Sequence, residues 1–261
     1  MQLESLQTTL ANLPVPTIQY FDSIGSTNDA AMQWATAGAP EGALVLADTQ
    51  TSGRGRTGRR WVTQPGTALA FSLVLHPTLA ERAQMGLFSP LAALALVETL
   101  HTHYGLQTAQ IKWPNDVLIQ RRKTAGILVE AAWVDQIAQA VIIGVGVNVA
   151  SSAVPPADQV RFPATSLEEQ LGFTPDRETL LAQVLTALFH WRPQLTEAAF
   201  RQAWQHHLAF RGEQIRLQEE GEQDLLGELL GINEQGNLRL RLQSGQERSV
   251  IVGDIHLRLA D

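Results

Sequence analysis

Apolar residues recur along this chain with two different periods, and the change of period marks out most of its elements. Ala30, Ala31, Trp34 and Ala35 are spaced as one face of a helix, and Ser26 to Asp29 ahead of them forms an S-x-x-D capping signature. The stretch 43–47 reads as a short apolar strand and 67–75 as a second. Leu87, Leu91, Leu94 and Val97 recur at three and four, which predicts a helix within 79–104. Segments 110–120, 124–133 and 138–148 predict three strands, and Asp135-Gln136 joins the last two tightly enough to make them antiparallel. Pro155, Pro156 and Pro163 mark a loop. Ser166 and Glu169 then form a capping box, and one longer helix is expected after it, with Leu180, Leu181, Val184, Leu185, Leu188 and Phe189 on a face. A last helical piece runs to about Leu208.

After Arg211 the texture changes. Leu238, Leu240 and Leu242 alternate with Arg239 and Arg241, and turn residues recur at Gly221, Gly236, Gly245 and Gly253. Short strands in this stretch predict a small β-barrel over 211–261, behind a larger domain over 1–210. In that larger domain the strands cluster between helices, which predicts an α+β layer with a mixed or antiparallel sheet and not a βαβ repeat. A length of 261 residues suits one sizeable core with a small second one.

Composition removes several function classes. With 19 Lys+Arg against 26 Asp+Glu the net charge is −7, so a protein built to grip nucleic acid is not expected, although a local site for a small anion is allowed. The absence of cysteine excludes disulfides, thiolate zinc sites and a cysteine nucleophile. The start carries Glu4 and no basic segment, unlike a secretory signal. The longest apolar stretch, 86–100, is interrupted by Ser89, Pro90 and Glu98 and reads as too short to cross a bilayer. A cytoplasmic protein is expected. His101, His103, His206 and His207 lack the acidic partners of a catalytic zinc site and are assigned to surface or satisfied core positions. The tryptophans other than Trp61 and Trp113 are assigned to the core.

Chemistry concentrates in five short segments. Gly53-Arg54-Gly55-Arg56-Thr57-Gly58-Arg59-Arg60-Trp61 places four arginines among glycines, so that backbone N–H groups and planar guanidinium donors can both approach a carboxylate or phosphate. A charge run is usually a solvated loop; the interleaved glycines and the closing Trp favour an anion site. Gly53, Gly55 and Gly58 also match G-x-G-x-x-G, but Pro65 and the lack of an apolar period leave no helix to carry a dinucleotide. Lys112-Trp113-Pro114-Asn115-Asp116 could set a cation and a Mg²⁺ ligand near one phosphate, and is equally an ordinary turn. Lys123 to Glu130 puts a lysine before small residues, as surface lysines before core strands also do. Gly144 and Gly146 suggest close backbone approach, with sheet packing the better account in isolation. Ser26-Thr27-Asn28 could bind a polar group at a helix start, though capping alone would explain Ser26.

Taken in order, STN, Q-x-x-GRGRxGRxW, KWPND, K-x-AGILxE and GxGxNV resemble the catalytic domain of biotin–protein ligases from Ser26 to Val149. The resemblance implies a class II synthetase-like catalytic domain followed by an SH3-like barrel. It implies that Ser26, Thr27, Asn28 and Gln50 hold the ureido ring of biotin, and that Gly53, Arg54, Gly55 and Arg56 close over biotin and the adenylate, with Gly126 also at biotin. Arg56, Arg59, Trp61, Asn115 and Asn148 would face ATP, Lys112 and Asp116 would serve the triphosphate and Mg²⁺, and Lys123 would lie between the biotin carboxylate and the α-phosphate. Lys123, Arg56 and Lys112 are thus the expected catalytic residues, and biotin, ATP and Mg²⁺ the expected ligands. The implied partner is a biotin carboxyl carrier protein, with the ligase a monomer or homodimer. Thr124-Ala125 departs mildly from the family's leucine-alanine pair. Only 25 residues precede Ser26, so no DNA-binding domain and no repressor function are expected. The rival readings are a lipoate–protein ligase and a non-catalytic biotin sensor; the set Lys112, Asp116 and Lys123 speaks against the sensor, since binding biotin alone requires no phosphate handling.

Overall fold

In a computed structural model of the chain the larger domain runs α1 (Leu3–Thr9), β1 (Ile18–Ile24), α2 (Thr27–Thr36), β2 (Leu44–Gln50), β3 (Ala68–Leu75), α3 (Leu79–Arg82), α4 (Phe88–Tyr104), β4 (Ala109–Lys112), β5 (Asp116–Ile119), β6 (Arg122–Val134), β7 (Ile137–Asn148), α5 (Leu167–Leu171), α6 (Arg177–Trp191) and α7 (Ala198–His206). A run of strands follows: β8 (Gln214–Glu219), β9 (Leu225–Ile232), β10 (Leu238–Leu242), β11 (Glu247–Val250) and β12 (Ile255–Leu259). The structure describes residues 1–61, 63–160, 162–219, 224–251 and 255–259, with backbone alone for 218, 219 and 255–259. Gly221 and Gly253, two of the expected turn positions, lie outside the described residues.

The first sheet has the strand order β1-β2-β3-β7-β6-β5-β4. Only β1 and β2 are parallel, so this is the mixed sheet expected of an α+β layer. Strand alternation splits its residues between two faces. Phe71, Leu73, Val141, Ile143, Val145 and Val147 join the large core under α4 and α6, while Val45, Val74, Ala140 and Ile142 pack with Ala31 of α2. Ser72, Gly144 and Gly146 share the α2 face.

Four local expectations change. Segment 110–120 is a hairpin and not one strand, because Pro114 has no N–H for a ladder and the chain turns at the cis Trp113–Pro114 bond. The helix after Ser166 is two helices. α5 ends at Gly172 (φ 78°), and α6 starts afresh at Asp176, which accepts from the Thr179 N–H at 2.8 Å. The apolar helical stretch Met85–Tyr104 is 20 residues with mean hydropathy 1.2, long enough to cross a membrane, but it is 67% buried inside the fold as a core helix. Trp133, expected in the core, is 59% exposed.

The second sheet, β11-β10-β9-β8-β12, is antiparallel throughout, as expected after Arg211. Leu238 and Leu240 face inward; Arg239 and Arg241 pair outward with Glu247 and Glu228. The two sheets meet where Trp113 Nε1 donates to the Gly236 carbonyl at 3.2 Å and Arg121 pairs with Glu213 at 2.9 Å.

Candidate active site

Two cross-strand rows of the first sheet make the floor of a cleft. Ser72 (β3), Gly144 (β7) and Leu128 (β6) stand opposite one another; two residues along, Ala70, Gly146, Gly126 and Asp116 form the next row. Residues two apart share a face, so the three glycines clear side chains from one continuous patch. What fills that patch explains each glycine. A Cβ on Gly144 would overlap Asn28 Oδ1, and one on Gly146 would overlap the Trp61 indole. A Cβ on Gly126 would lie 3.2 Å from Lys123 Nζ and 3.4 Å from Trp61 Cζ3.

One end of the floor is a neutral corner. α2 begins at Thr27 with Ser26 as its N-cap, accepting from the Asp29 N–H at 3.5 Å. Asn28 is buried over Gly144; Ser72 Oγ donates to its Oδ1 at 2.6 Å, and its Nδ2 donates to the Leu128 carbonyl at 3.2 Å and to Glu130 Oε2 at 2.8 Å. Thr27 donates through its N–H and hydroxyl to Gln50 Oε1 at 2.8 and 3.1 Å.

The Arg/Gly segment is a small hairpin. The Trp61 N–H donates to the Gly53 carbonyl at 2.9 Å and the Gly55 N–H to the Arg59 carbonyl at 2.7 Å, with a tight turn over Arg56–Gly58 at its tip in which Thr57 is left-handed (φ 55°). A Cβ on Gly53 would come within 2.5 Å of the Trp61 carbonyl oxygen, so the two legs approach too closely for a side chain. Arg54 makes a bidentate pair with Glu130 (2.9 and 2.7 Å) and a further pair with Asp29 at 2.5 Å, contacts that raise its pKa and tie the hairpin to β6 and α2. Arg56, Arg59 and Arg60 line the cleft. Trp61 lies across Gly146 and Gly126, its buried Nε1 without a hydrogen-bond partner among the described residues. With the indole there, the space left measures about 110 Å³. A wider groove of about 610 Å³, reaching the Gln235–Asn237 turn, shares Arg56 and Ile127 with it.

The opposite end carries charge. Register places Lys112 directly across from Asp116 in the β4–β5 hairpin and Asp116 across from Gly126. Asp116 is buried, with Oδ1 2.5 Å from Lys123 Nζ and Oδ2 3.3 Å from Lys112 Nζ. Burial alone would raise the Asp116 pKa, but the two ammonium groups outweigh it and hold the carboxyl below its ordinary range. Burial lowers the Lys112 pKa, partly offset by Asp116. Asn115 braces the turn by donating to the Ile127 carbonyl at 2.8 Å.

Of the residues singled out from sequence, Ser26, Thr27, Asn28, Gln50, Arg54, Gly55, Arg56, Arg59, Trp61, Asn115, Asp116, Lys123 and Gly126 line this one cleft. Gly53, Lys112 and Asn148 are not among its lining residues. Lys112 stands behind Asp116, and Asn148 is buried at the end of β7, donating to the Thr165 carbonyl at 3.1 Å. That bond supports the loop whose Pro163 carbonyl and Thr165 N–H bracket the Lys123 backbone at 2.7 and 2.9 Å. Sequence reasoning missed Ser72, the lone polar residue in the apolar run 68–75, and gave Glu130 and Arg60 no role.

The charged end does not fit a protein-held Mg²⁺. Asp116 is the one carboxylate among the cleft-lining residues, both its oxygens already face ammonium groups, and among the described residues no cluster of three or more His, Asp or Glu forms. Mg²⁺ requires about six oxygen ligands, and at 4 Å each unit of like charge would cost about 4 kcal/mol at an effective dielectric constant of 20.

Residues 20–148 match the biotin/lipoate A/B protein ligase family, and residues 210–258 match the biotin protein ligase C-terminal domain. The chain is 38% identical over 229 residues to a biotin–[acetyl-CoA-carboxylase] ligase of Paracoccus denitrificans, covering 85% of this chain and 93% of the relative. The chain belongs to the biotin protein ligase family. A bifunctional ligase/repressor BirA of Bacillus spizizenii is 36% identical over 243 residues, 91% of this chain and 73% of that protein. The biotin protein ligase of Aquifex aeolicus, solved in complex with biotin and ATP, superposes with a TM-score of 0.80 at 28% identity, covering 94% of this chain and all of that one. In this ligase, residues 1–25 supply α1 and β1, the latter an edge strand of the first sheet.

Proposed function

We propose that this ligase activates biotin with ATP to biotinyl-5′-AMP, releasing pyrophosphate, and then transfers biotin to a lysine of a biotin carboxyl carrier protein. Family membership supports biotin ligation to a carboxylase; the relative from Paracoccus denitrificans carries that activity in its name. The observation that carries the adenylate step is the polarity of the cleft, which joins a neutral hydrogen-bonding corner and a cationic end across one glycine floor. A urea-like ring wants neutral donors and acceptors, whereas a carboxylate meeting a phosphate wants cations.

In this reading Ser26, Thr27, Asn28 and Gln50 meet the ureido ring, and the acyl chain runs along the cleft past Gly126 toward Lys123. Lys123 and Arg56 offset the repulsion between the biotin carboxylate and the α-phosphate and stabilise the charge that develops when the carboxylate oxygen attacks phosphorus and pyrophosphate leaves. Arg59, Trp61 and Asn115 serve the nucleotide, and Lys112 acts through Asp116. The hairpin 53–61 shields the mixed anhydride from water until the acceptor amine attacks its acyl carbon and AMP departs. The groove beside Arg56 offers a second protein an approach. Residues 1–210 would form the catalytic domain and 211–261 its C-terminal partner, acting in the cytoplasm.

The test is pyrophosphate release by purified protein given ATP, MgCl₂ and either biotin or lipoate. Release with biotin alone is expected. Release with lipoate alone would make it a lipoate ligase, and silence with both would leave a sensor.

A further inference from the structure

We propose that Asp116 is a positioning residue, a buried counterion shared by Lys112 and Lys123 that keeps both ammonium groups at the end of the glycine floor, and that it does not bind Mg²⁺. This rests on the adenylation reading. Each Asp116 oxygen faces a different lysine, at 2.5 Å to Lys123 and 3.3 Å to Lys112. The pairing is set by register: Lys112 lies opposite Asp116, and Asp116 opposite Gly126, whose missing side chain gives Lys123 Nζ its place. Two ammonium groups on one carboxylate leave a net positive charge for an incoming anion. When a carboxylate or phosphate arrives, Lys123 can turn to it while Lys112 stays on Asp116. The carboxylate is never left bare, and the cation is delivered without a separate desolvation step.

The reading separates from a metal-ligand role by experiment. Asp116→Asn removes the counterion and leaves the lysines. Calorimetry with inorganic pyrophosphate, without metal, should show the variant binding about tenfold more tightly than wild type, because no carboxylate competes for the ammonium groups. In single turnover the variant should lose about a hundredfold in the rate of adenylate formation, with KM for biotin changed little and half-saturating Mg²⁺ unchanged. Weaker or unchanged pyrophosphate binding, or a raised Mg²⁺ requirement with rescue at high Mg²⁺, would overturn the proposal. Should the variant not fold, wild-type protein without nucleotide is titrated with Mn²⁺ and followed by electron paramagnetic resonance. No stoichiometric binding in the millimolar range is expected, and saturable binding would sink the idea. Biotin-dependent ATP–pyrophosphate exchange by wild type tests the adenylation reading separately, since metal-free pyrophosphate binding does not depend on it.

Discussion

At one end of the glycine floor, Asn28, Thr27, Gln50 and Ser72 hold one another through neutral hydrogen bonds; at the other, Lys112, Asp116 and Lys123 hold one another by charge. The two ends depend on different physics. A neutral buried bond contributes about 1 kcal/mol, and its loss strands a polar atom, so the first corner acts mainly by shape and complementarity. A buried ion cluster is expensive to desolvate and is weak evidence of stability, so its presence points to use in binding anions. The first corner should therefore govern which molecule binds, and the second how fast it reacts.

The largest effect that would sharpen this division is expected from Lys123→Ala. Single-turnover adenylate formation should fall about a thousandfold while biotin binding, read by calorimetry, weakens far less. Equal losses in both would erase the distinction. Next comes a paired comparison on the floor. Gly144→Ala drives a methyl into Asn28 and should cost about 2–3 kcal/mol of stability together with most biotin affinity. Gly146→Ala meets the Trp61 indole first, which sits on a loop, so its melting temperature should stay near wild type. If the two variants melt alike, the neutral corner is not the more rigid end.

The smallest effect concerns acid. His207 is pushed from 6.5 to about 4 by burial, with the charges of His101 and His206 adding to it. The unfolded chain thus binds its proton first, and the stability that neutral His207 contributes is present above about pH 6.5 and lost as pH falls through about 4. Asp116, with its depressed pKa, contributes stability lost only at lower pH. His207→Asn should flatten the upper part of the pH–melting curve and leave the lower part; loss of the lower part instead would mean the windows are misassigned.

Much of the cleft was legible because its chemistry is local in sequence: Ser26–Asn28, Gly53–Trp61, Lys112–Asp116 and Lys123–Gly126 each lie within nine residues, and spacing alone reports them. What pattern could not report is what one segment does to another. Asn28, on a helix, needs Ser72 and Gly144 from two strands, and Arg54 is occupied by Glu130, 76 residues away. Asp116 looked like a metal ligand beside a proline turn until register set it between two lysines. In the fold, apolar runs bounded by turn residues report β3, β6 and β7, while the parallel edge strand β1 escapes because its burial is only partial. The two helices after Ser166 read as one from apolar spacing, because the break between them rests on a single residue, Gly172, at a left-handed helix end.

The hydrogen bond from Trp113 to Gly236 ties the turn that carries Asp116 to a tight bend of the second sheet. A Cβ on Gly236 would come within 2.9 Å of the Trp204 ring, so this bend is pressed against a second indole as well. Chain continuity gives two units, but unfolding should not respect that division. Detaching the second sheet would bare Trp113 and Trp204 to water and remove the wall behind the lysine-bearing turn. Its loss would then be registered first as misalignment of Lys112 and Asp116, some distance from any surface the second sheet itself presents.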